Sequence, residues 1–176
     1  RRFEGGRLVR GEDDVLNELD ENAIEAAVQL KEAEEDAGRE AEVVALTMGP
    51  EDAEDALMRA LQMGADRAYI VSDEFLEGSD VITTASVLSV AIAKIADECG
   101  PVDLVITGMA SLDAMTSMLP GALAAKAHMP LLGLARSMSV EDGTVTIERS
   151  VDGFTETLRA ALPAAVSVTD QINEPR

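Results

Sequence analysis

The chain has 176 residues, 47% apolar and 2% aromatic, with 34 acidic and 14 basic side chains and a net charge of −20. That charge excludes a nucleic-acid binder, which must neutralise phosphates, and no apolar stretch approaches the ~20 residues of a membrane-spanning helix. The length suits one domain over 1–176 with a core of Ala, Val, Leu, Ile and Met. The one cysteine excludes an internal disulfide and fits a reducing, cytoplasmic setting.

Residues 1–16 are polar, contain glycines and show no clear period. Asn17 or Asp20 then caps a helix to about Ala37, with Leu19, Ala23, Ala26, Leu30 and Ala33 as its apolar stripe. The acidic run Glu32–Asp36 reads as a solvated face. Glu42–Thr47 is a short apolar strand, and Met48-Gly49-Pro50 is its turn. The next helix buries Ala53, Leu57, Ala60 and Leu61 and stops at Gly64. Arg67–Val71 is a second strand. Ser79 or Asp80 caps a long helix to Cys99, whose thiol is in register with Ala85, Leu88, Ile92 and Ile95 and reads as buried and structural.

Asp103–Thr107 is a third strand. Its helix is expected from near Asp113 to Ala127, with Met115, Met118, Leu119, Ala122 and Leu123 facing inward. Strand and helix alternating at this spacing predict βαβ crossovers and a doubly wound, mostly parallel α/β sheet with helices on both faces. The tail changes character. Ser137–Val140 and Val145–Val151 flank an Asp-Gly turn, Asp152-Gly153 makes a second turn, Phe154–Leu162 returns, and Ala165–Thr169 is a last strand. A C-terminal antiparallel portion therefore follows the parallel one within the same domain. Such sheets normally start with a strand before the first helix. Here that segment offers only Arg7-Leu8-Val9, so the first strand is expected upstream of Arg1.

In open α/β sheets ligands bind where strands hand over to helices. The turns at Gly49 and Gly108 are expected to bring free backbone N–H groups towards a phosphate. No cluster of His, Cys, Ser or acidic residues reads as a reaction centre, so a nucleotide-holding scaffold is expected rather than an enzyme. His128 follows a helix alone and reads as a group favoured by the helix dipole. Asp113 is either a nucleotide ligand or a helix cap, and Met109, Met115 and Met118 either line a ring or pack in the core.

Several motifs occur in a fixed order: Asn17-Glu18-Leu19-Asp20 with Ala23–Ala27, Leu46–Pro50, Ala60–Ala68, Gly78-Ser79-Asp80, Asp103–Gly108 with Ser111 and Asp113, then Arg149, Asp152-Gly153, Glu156 and Asn173-Glu174-Pro175-Arg176. In that order they resemble the beta subunit of electron-transfer flavoproteins, the FixA branch most nearly, over essentially the whole chain. The resemblance implies a Rossmann-like, adenine-nucleotide-binding subunit of a heterodimer whose alpha subunit holds a redox FAD. It further implies AMP or a second FAD in the beta subunit. Electrons would pass from dehydrogenases, such as the acyl-CoA dehydrogenases of fatty acid oxidation, to electron-transfer flavoprotein-quinone oxidoreductase or to nitrogenase-linked acceptors.

Carried over by position, the implied cofactor-binding residues are Asn17, Glu18, Leu19, Asp20, Met48, Gly108, Met109, Ala110, Ser111, Leu112, Asp113, Thr116 and Ser117. Asn173–Arg176 would begin a partner-recognition segment. Arg149 would pair with Asp152 or touch a flavin held by the partner. The chain departs from AMP-binding members at Ala114, Met115 and Met118, where they carry glycine, carboxylate or amide groups, which favours FAD or weak occupancy. The alternative reading is a stand-alone adenine-nucleotide module of the universal-stress-protein type, whose glycine-rich phosphate loop this chain lacks.

Only Lys31, Lys94 and Lys126 are lysines, and an acidic, lysine-poor surface is that of a protein adapted to high salt, where ions screen self-repulsion. The thermal unfolding midpoint of this chain is therefore expected to rise from low to molar salt. A midpoint independent of salt, followed by circular dichroism, would contradict it.

Overall fold

A computed structural model describes residues 3–9, 16–112 and 116–176. Phe3–Glu4 (β1) and Arg7–Leu8 (β2) pair antiparallel as a small hairpin, so this segment adds nothing to the parallel ladders. Helix α1, Glu18–Asp36, starts at Asn17, whose side chain accepts from the amide of Leu19. Strand β3 (Val44–Met48) is followed by a 3-10 turn over Glu51–Ala53 and by α2 (Glu54–Met63). Gly64 ends α2 at φ 117°, and a Cβ there would press on Val28 of α1 at 3.1 Å. Strand β4 (Arg67–Val71) leads to α3 (Val81–Cys99), capped by Asp80 through the amide of Thr83 at 2.7 Å.

Strand β5 (Leu104–Gly108) precedes α4, which spans Leu119–Lys126 and so begins later than its sequence suggests. Pro120 in its first turn fixes that start, because it can occupy only a position whose N–H needs no helical partner. The sequence reading missed β6 (Leu131–Ala135), a short apolar run broken by Gly133. Strands β7 (Ser137–Glu141), β8 (Thr144–Val151) and β9 (Phe154–Ala161) form the expected antiparallel meander. Both of its turns place Asp and Gly at positive φ, at Asp142-Gly143 and Asp152-Gly153. That is the geometry matching the twist of two-residue hairpins.

The last strand, β10 (Ala164–Val168), is buried along its whole length and lies parallel between β5 and β6. Strands β3 and β4 form a second parallel ladder. The two ladders share one apolar floor, in which Leu46 and Met48 of β3 and Val105 of β5 pack with Ala85, Leu88 and Leu123 of α3 and α4. The other face of β5 and β10 meets α1 and the meander, where Val166 and Val168 pack with Ala23, Val145 and Ile147. The mixed α/β architecture is thus a parallel portion with helices on both faces and an antiparallel extension sharing its core.

Three buried stripes are shifted from expectation. In α1 the buried residues are Asn22, Ala23, Glu25, Ala26 and Val28, with Ala33 exposed, because the helix buries polar groups that bind the tail (below). In α2, Leu61 is exposed and Met63 is 1% exposed, since the chain turns inward at Gly64. Met118 precedes α4 instead of lying within it, and is 60% exposed. No helix of the described residues is long and apolar enough to cross a membrane.

Ile147 is 1% exposed and joins the meander to the parallel portion. Ile147→Ala should cost about 2–5 kcal/mol from lost burial and an unfilled cavity. Urea denaturation checks this, and a loss under 1 kcal/mol would mean that the meander does not share the core.

Candidate functional site

The candidate site lies at the carboxyl ends of β3 and β5, where α1 begins. Asn17 Oδ1 accepts from the Leu19 amide at 3.3 Å, and its Nδ2 donates to Asp20 Oδ2 and to the carbonyl of Ala110, each at 2.9 Å. Asp20 Oδ1 accepts from the Gly108 amide at 2.8 Å. Two side chains of the first turn of α1 thus fix the backbone at the end of β5 and just beyond it.

This geometry corrects the role expected for the strand-end glycines. The Gly108 amide is held by Asp20, and the Gly49 amide donates to the carbonyl of Val71 at 3.1 Å, so neither is free for a phosphate. Gly108 is required for another reason. A Cβ there would stand 2.7 Å from the carbonyl oxygen of Leu19 and 2.8 Å from Asp20 Oδ1.

Beyond β5, Ser111 and Thr116 form an isolated antiparallel bridge, in which the Ser111 amide donates to the Thr116 carbonyl at 3.0 Å. Thr116 Oγ1 accepts from the Met118 amide at 3.2 Å and so shapes the entry to α4. Asp113, with Ala114 and Met115, lies outside the described residues. Of the other expected positions, Asn17, Leu19, Asp20, Met48, Met109, Ala110, Ser111, Leu112 and Thr116 are half-buried around this turn or the strand ends beside it. Gly108 is buried, and Glu18 and Ser117 are exposed.

Two hydroxyls stand out. Thr107 Oγ1 and Ser111 Oγ are shut off from solvent and have no hydrogen-bond partner. Ser111 was expected at the site, whereas Thr107 was passed over. Its signal was a hydroxyl ending the aliphatic run Leu104-Val105-Ile106. Side chains alternate along a strand, so Thr107 shares a face with Val105, whose cluster includes Met48, Leu119 and Leu123. The paired residue on β10, Ser167, has its hydroxyl engaged by the Leu134 amide at 2.9 Å, whereas Thr107 has no such donor. The cluster also contains Leu119, in the first turn of α4. The first-turn N–H groups of Leu119 and Gly121 find no partner within the helix, and this end of its dipole favours anions. Hydroxyls and helix N–H groups together are a donor set for phosphate or ribose oxygens.

Surface shape alone points elsewhere. One open hollow is lined by Glu35, Glu40 and Glu42 with Arg39 among them, and another by Glu51, Asp52, Glu54 and Asp55, where carboxylates alone would repel a phosphate. Among the described residues no three His, Cys, Asp or Glu side chains gather as a metal site.

The model of the electron transfer flavoprotein domain matches residues 6–176. The chain belongs to this family. It is 43% identical to the electron transfer flavoprotein subunit beta of Mycobacterium leprae, over 93% of this chain and 60% of that protein. It is 33% identical to the caffeyl-CoA reductase-Etf complex subunit CarD of Acetobacterium woodii, over 97% of this chain and 63% of the relative. With protein FixA of Azorhizobium caulinodans the identity is 34%, over 92% and 57%. The chain therefore resembles the beta-type members, FixA among them, and spans about 60% of the length of such relatives.

Two further expectations are corrected. Arg149 does not pair with Asp152. Its Nε donates across the meander to Glu156 Oε2 at 2.7 Å, because the two residues stand opposite each other in the β8–β9 register. Cys99 is half-buried, at 3.5 Å from the Tyr69 hydroxyl and 3.4 Å from a guanidinium nitrogen of Arg67. The contact with the Cys99 sulfur and burial push the Tyr69 hydroxyl up to about 12.

Gly108→Ala should destabilise the fold by about 1–3 kcal/mol, as overpacking against backbone does, and should detach Asp20. Gly143→Ala at an open turn, where nothing lies within 4 Å, bears only the strain of its positive φ. Paired denaturation curves decide, and an unaffected Gly108→Ala would show that α1 can withdraw from β5 without loss.

Proposed function

We propose that this chain serves as the beta subunit of a heterodimeric electron transfer flavoprotein, holding a nucleotide between the ends of β3 and β5, the start of α1 and the start of α4. The observation that carries the reading is the pair of buried, unpartnered hydroxyls, Thr107 and Ser111, at the end of β5 and just beyond it. A buried hydroxyl without a partner costs about 1–3 kcal/mol, and a ligand oxygen would remove that cost at both.

In this reading Thr107 and Ser111 hold ligand oxygens, and the first-turn N–H groups of α4 meet a phosphate. Asn17 and Asp20 hold the backbone at Gly108 and Ala110, and Thr116 bridges to Ser111 and shapes the entry to α4. Exposed Met118 and half-buried Met48 and Met109 offer polarisable apolar surface. That surface suits a second FAD better than AMP, since AMP brings no ring as large as the isoalloxazine. A bound flavin supplies one- and two-electron transfer, whereas AMP supplies only charge and shape.

The chain itself acts as an electron-carrier subunit without catalytic side chains, and an alpha subunit with its own FAD completes it. Dehydrogenases of CoA esters are the donor class, supported by the relative named as part of a caffeyl-CoA reductase-Etf complex. A quinone oxidoreductase or a similar acceptor receives the electrons, and the cytoplasm is the proposed setting.

The test is flavin and AMP content per heterodimer after co-expression of the full-length protein with its alpha subunit. Two flavins per heterodimer are expected. One FAD with one tightly held AMP would overturn the choice of FAD, and a complex whose only nucleotide is the alpha-subunit FAD would overturn the site.

A further inference from the structure

Residues 173–176 lie along α1 and are bound there by polar groups that the nucleotide site does not use. Asn22, 6% exposed, donates from Nδ2 to the backbone and side-chain oxygens of Asn173, each at 3.1 Å, and Asn173 Nδ2 donates back to the Asn22 carbonyl at 3.0 Å. The guanidinium of Arg176 grips Glu25 through Nε at 2.7 Å and Nη2 at 2.9 Å, and Glu32 through Nη1 at 2.7 Å and Nη2 at 3.1 Å. Arg59 of α2 completes the seat, donating to the Arg176 carbonyl at 2.8 Å and to Glu21 at 3.1 Å. The Glu25 side chain is 4% exposed, and the Arg176 fork holds its carboxyl below the usual range. A buried carboxylate deprived of its partner is strongly unfavourable, so α1 depends on this segment.

We infer that the seating of Asn173–Arg176 on α1 sets the nucleotide turn, with Glu25 and Arg176 acting through the helix as positioning residues; this rests on the nucleotide site proposed above. The apolar residues that α1 buries are Ala23, Ala26 and Val28, too small to lock its axial position by interdigitation. Directional bonds must do so. Glu25 is five residues from Asp20, about 7.5 Å along a rigid helix, so a slide at one is transmitted to the other. A slide of about 1 Å away from β5 would stretch the 2.8 Å bond between Gly108 and Asp20 beyond hydrogen-bonding range. A slide in the other direction is blocked, because α1 already stands against the backbone of Gly108. The seated segment therefore adds to the bonds of Asn17 and Asp20 in holding α1 against withdrawal from β5.

The experiment uses the full-length heterodimer with Arg176→Gln, Arg176→Lys and Glu25→Gln, and with Arg136→Gln as a control that breaks an ion pair with Glu148 of the meander. Hydrogen exchange of the peptide 104–112 is read by mass spectrometry against that of 164–168 in β10, together with AMP affinity by calorimetry on nucleotide-stripped protein. Arg176→Gln and Glu25→Gln should each speed exchange in 104–112 about tenfold with 164–168 unchanged, and weaken AMP about tenfold. Arg176→Lys, which keeps the charge and loses the fork, should fall between, and Arg136→Gln should change neither. Equal acceleration in both peptides, or none in 104–112, would overturn the inference, since a merely structural tail acts on the whole fold. Wild-type protein that binds neither AMP nor FAD would sink the nucleotide reading alone, because exchange in 104–112 still measures the coupling.

Discussion

The structure turns on how α1 is held against β5. Asn17 and Asp20 reach backbone 93 and 88 residues away, and Asn22 reaches backbone 151 residues away. Contacts between such distant parts of the chain form late and at a cost in chain entropy. They also select one arrangement, because a hydrogen bond tolerates little error in distance whereas an alanine surface tolerates much. The missing side chain of Gly108 is the counterpart of that choice. Only backbone without a Cβ lets the first turn of the helix approach closely enough for the Asp20 carboxylate to reach the amide.

A net charge of −20 makes each cation count. Arg59, Arg67, Arg136, Arg149 and Arg176 all face carboxylates, and Lys31 is bound to Asp66. Most of these pairs are exposed, and such pairs contribute at most about 1 kcal/mol each. Glu25 with Arg176 differs, because the carboxylate is buried. Glu25 has its pKa lowered in the fold, so what the pair contributes is present above the unfolded pKa and is lost as pH falls through the lowered one. The tail contact therefore persists through neutral pH.

Much of the fold was legible in the sequence, and the reasons are local. Short aliphatic runs with turn residues on either side identified β3, β4, β5 and β10, the pairs Asn17 or Asp20 and Ser79 or Asp80 bracketed two helix starts, which fall at Asn17 and Asp80, and two Asp-Gly pairs identified the meander. Strand β6 was not legible, because Leu131-Leu132-Gly133-Leu134-Ala135 lacks β-branched residues and contains a glycine. The stripe of α1 was misplaced because apolar periodicity cannot register that Asn22 and Glu25 are buried by partners at 173 and 176. At the site, the stretch around Gly108 was legible from its position after an apolar strand. That its amide is spent on Asp20, and that Thr107 presents a buried hydroxyl instead, depends on which face of β5 meets α1, and no local pattern records that.

The division of labour on β5 follows from its alternation. Leu104, Ile106 and Gly108 address α1 and the meander, while Val105, and by alternation Thr107, lie on the face that shares a cluster with α3 and α4. One strand thus carries a rigid seam on one face and a polar, unpartnered group on the other, one residue apart. The seam is fully bonded within the protein and so is fixed before any ligand arrives. The opposite face keeps its hydroxyl without a partner, which makes the free protein less stable than it would be with valine there. A fixed backbone presenting an unsatisfied donor loses little entropy when it engages a ligand. Valine at position 107 would make an ordinary strand end, whereas the proposed reading has threonine there meet a ligand oxygen.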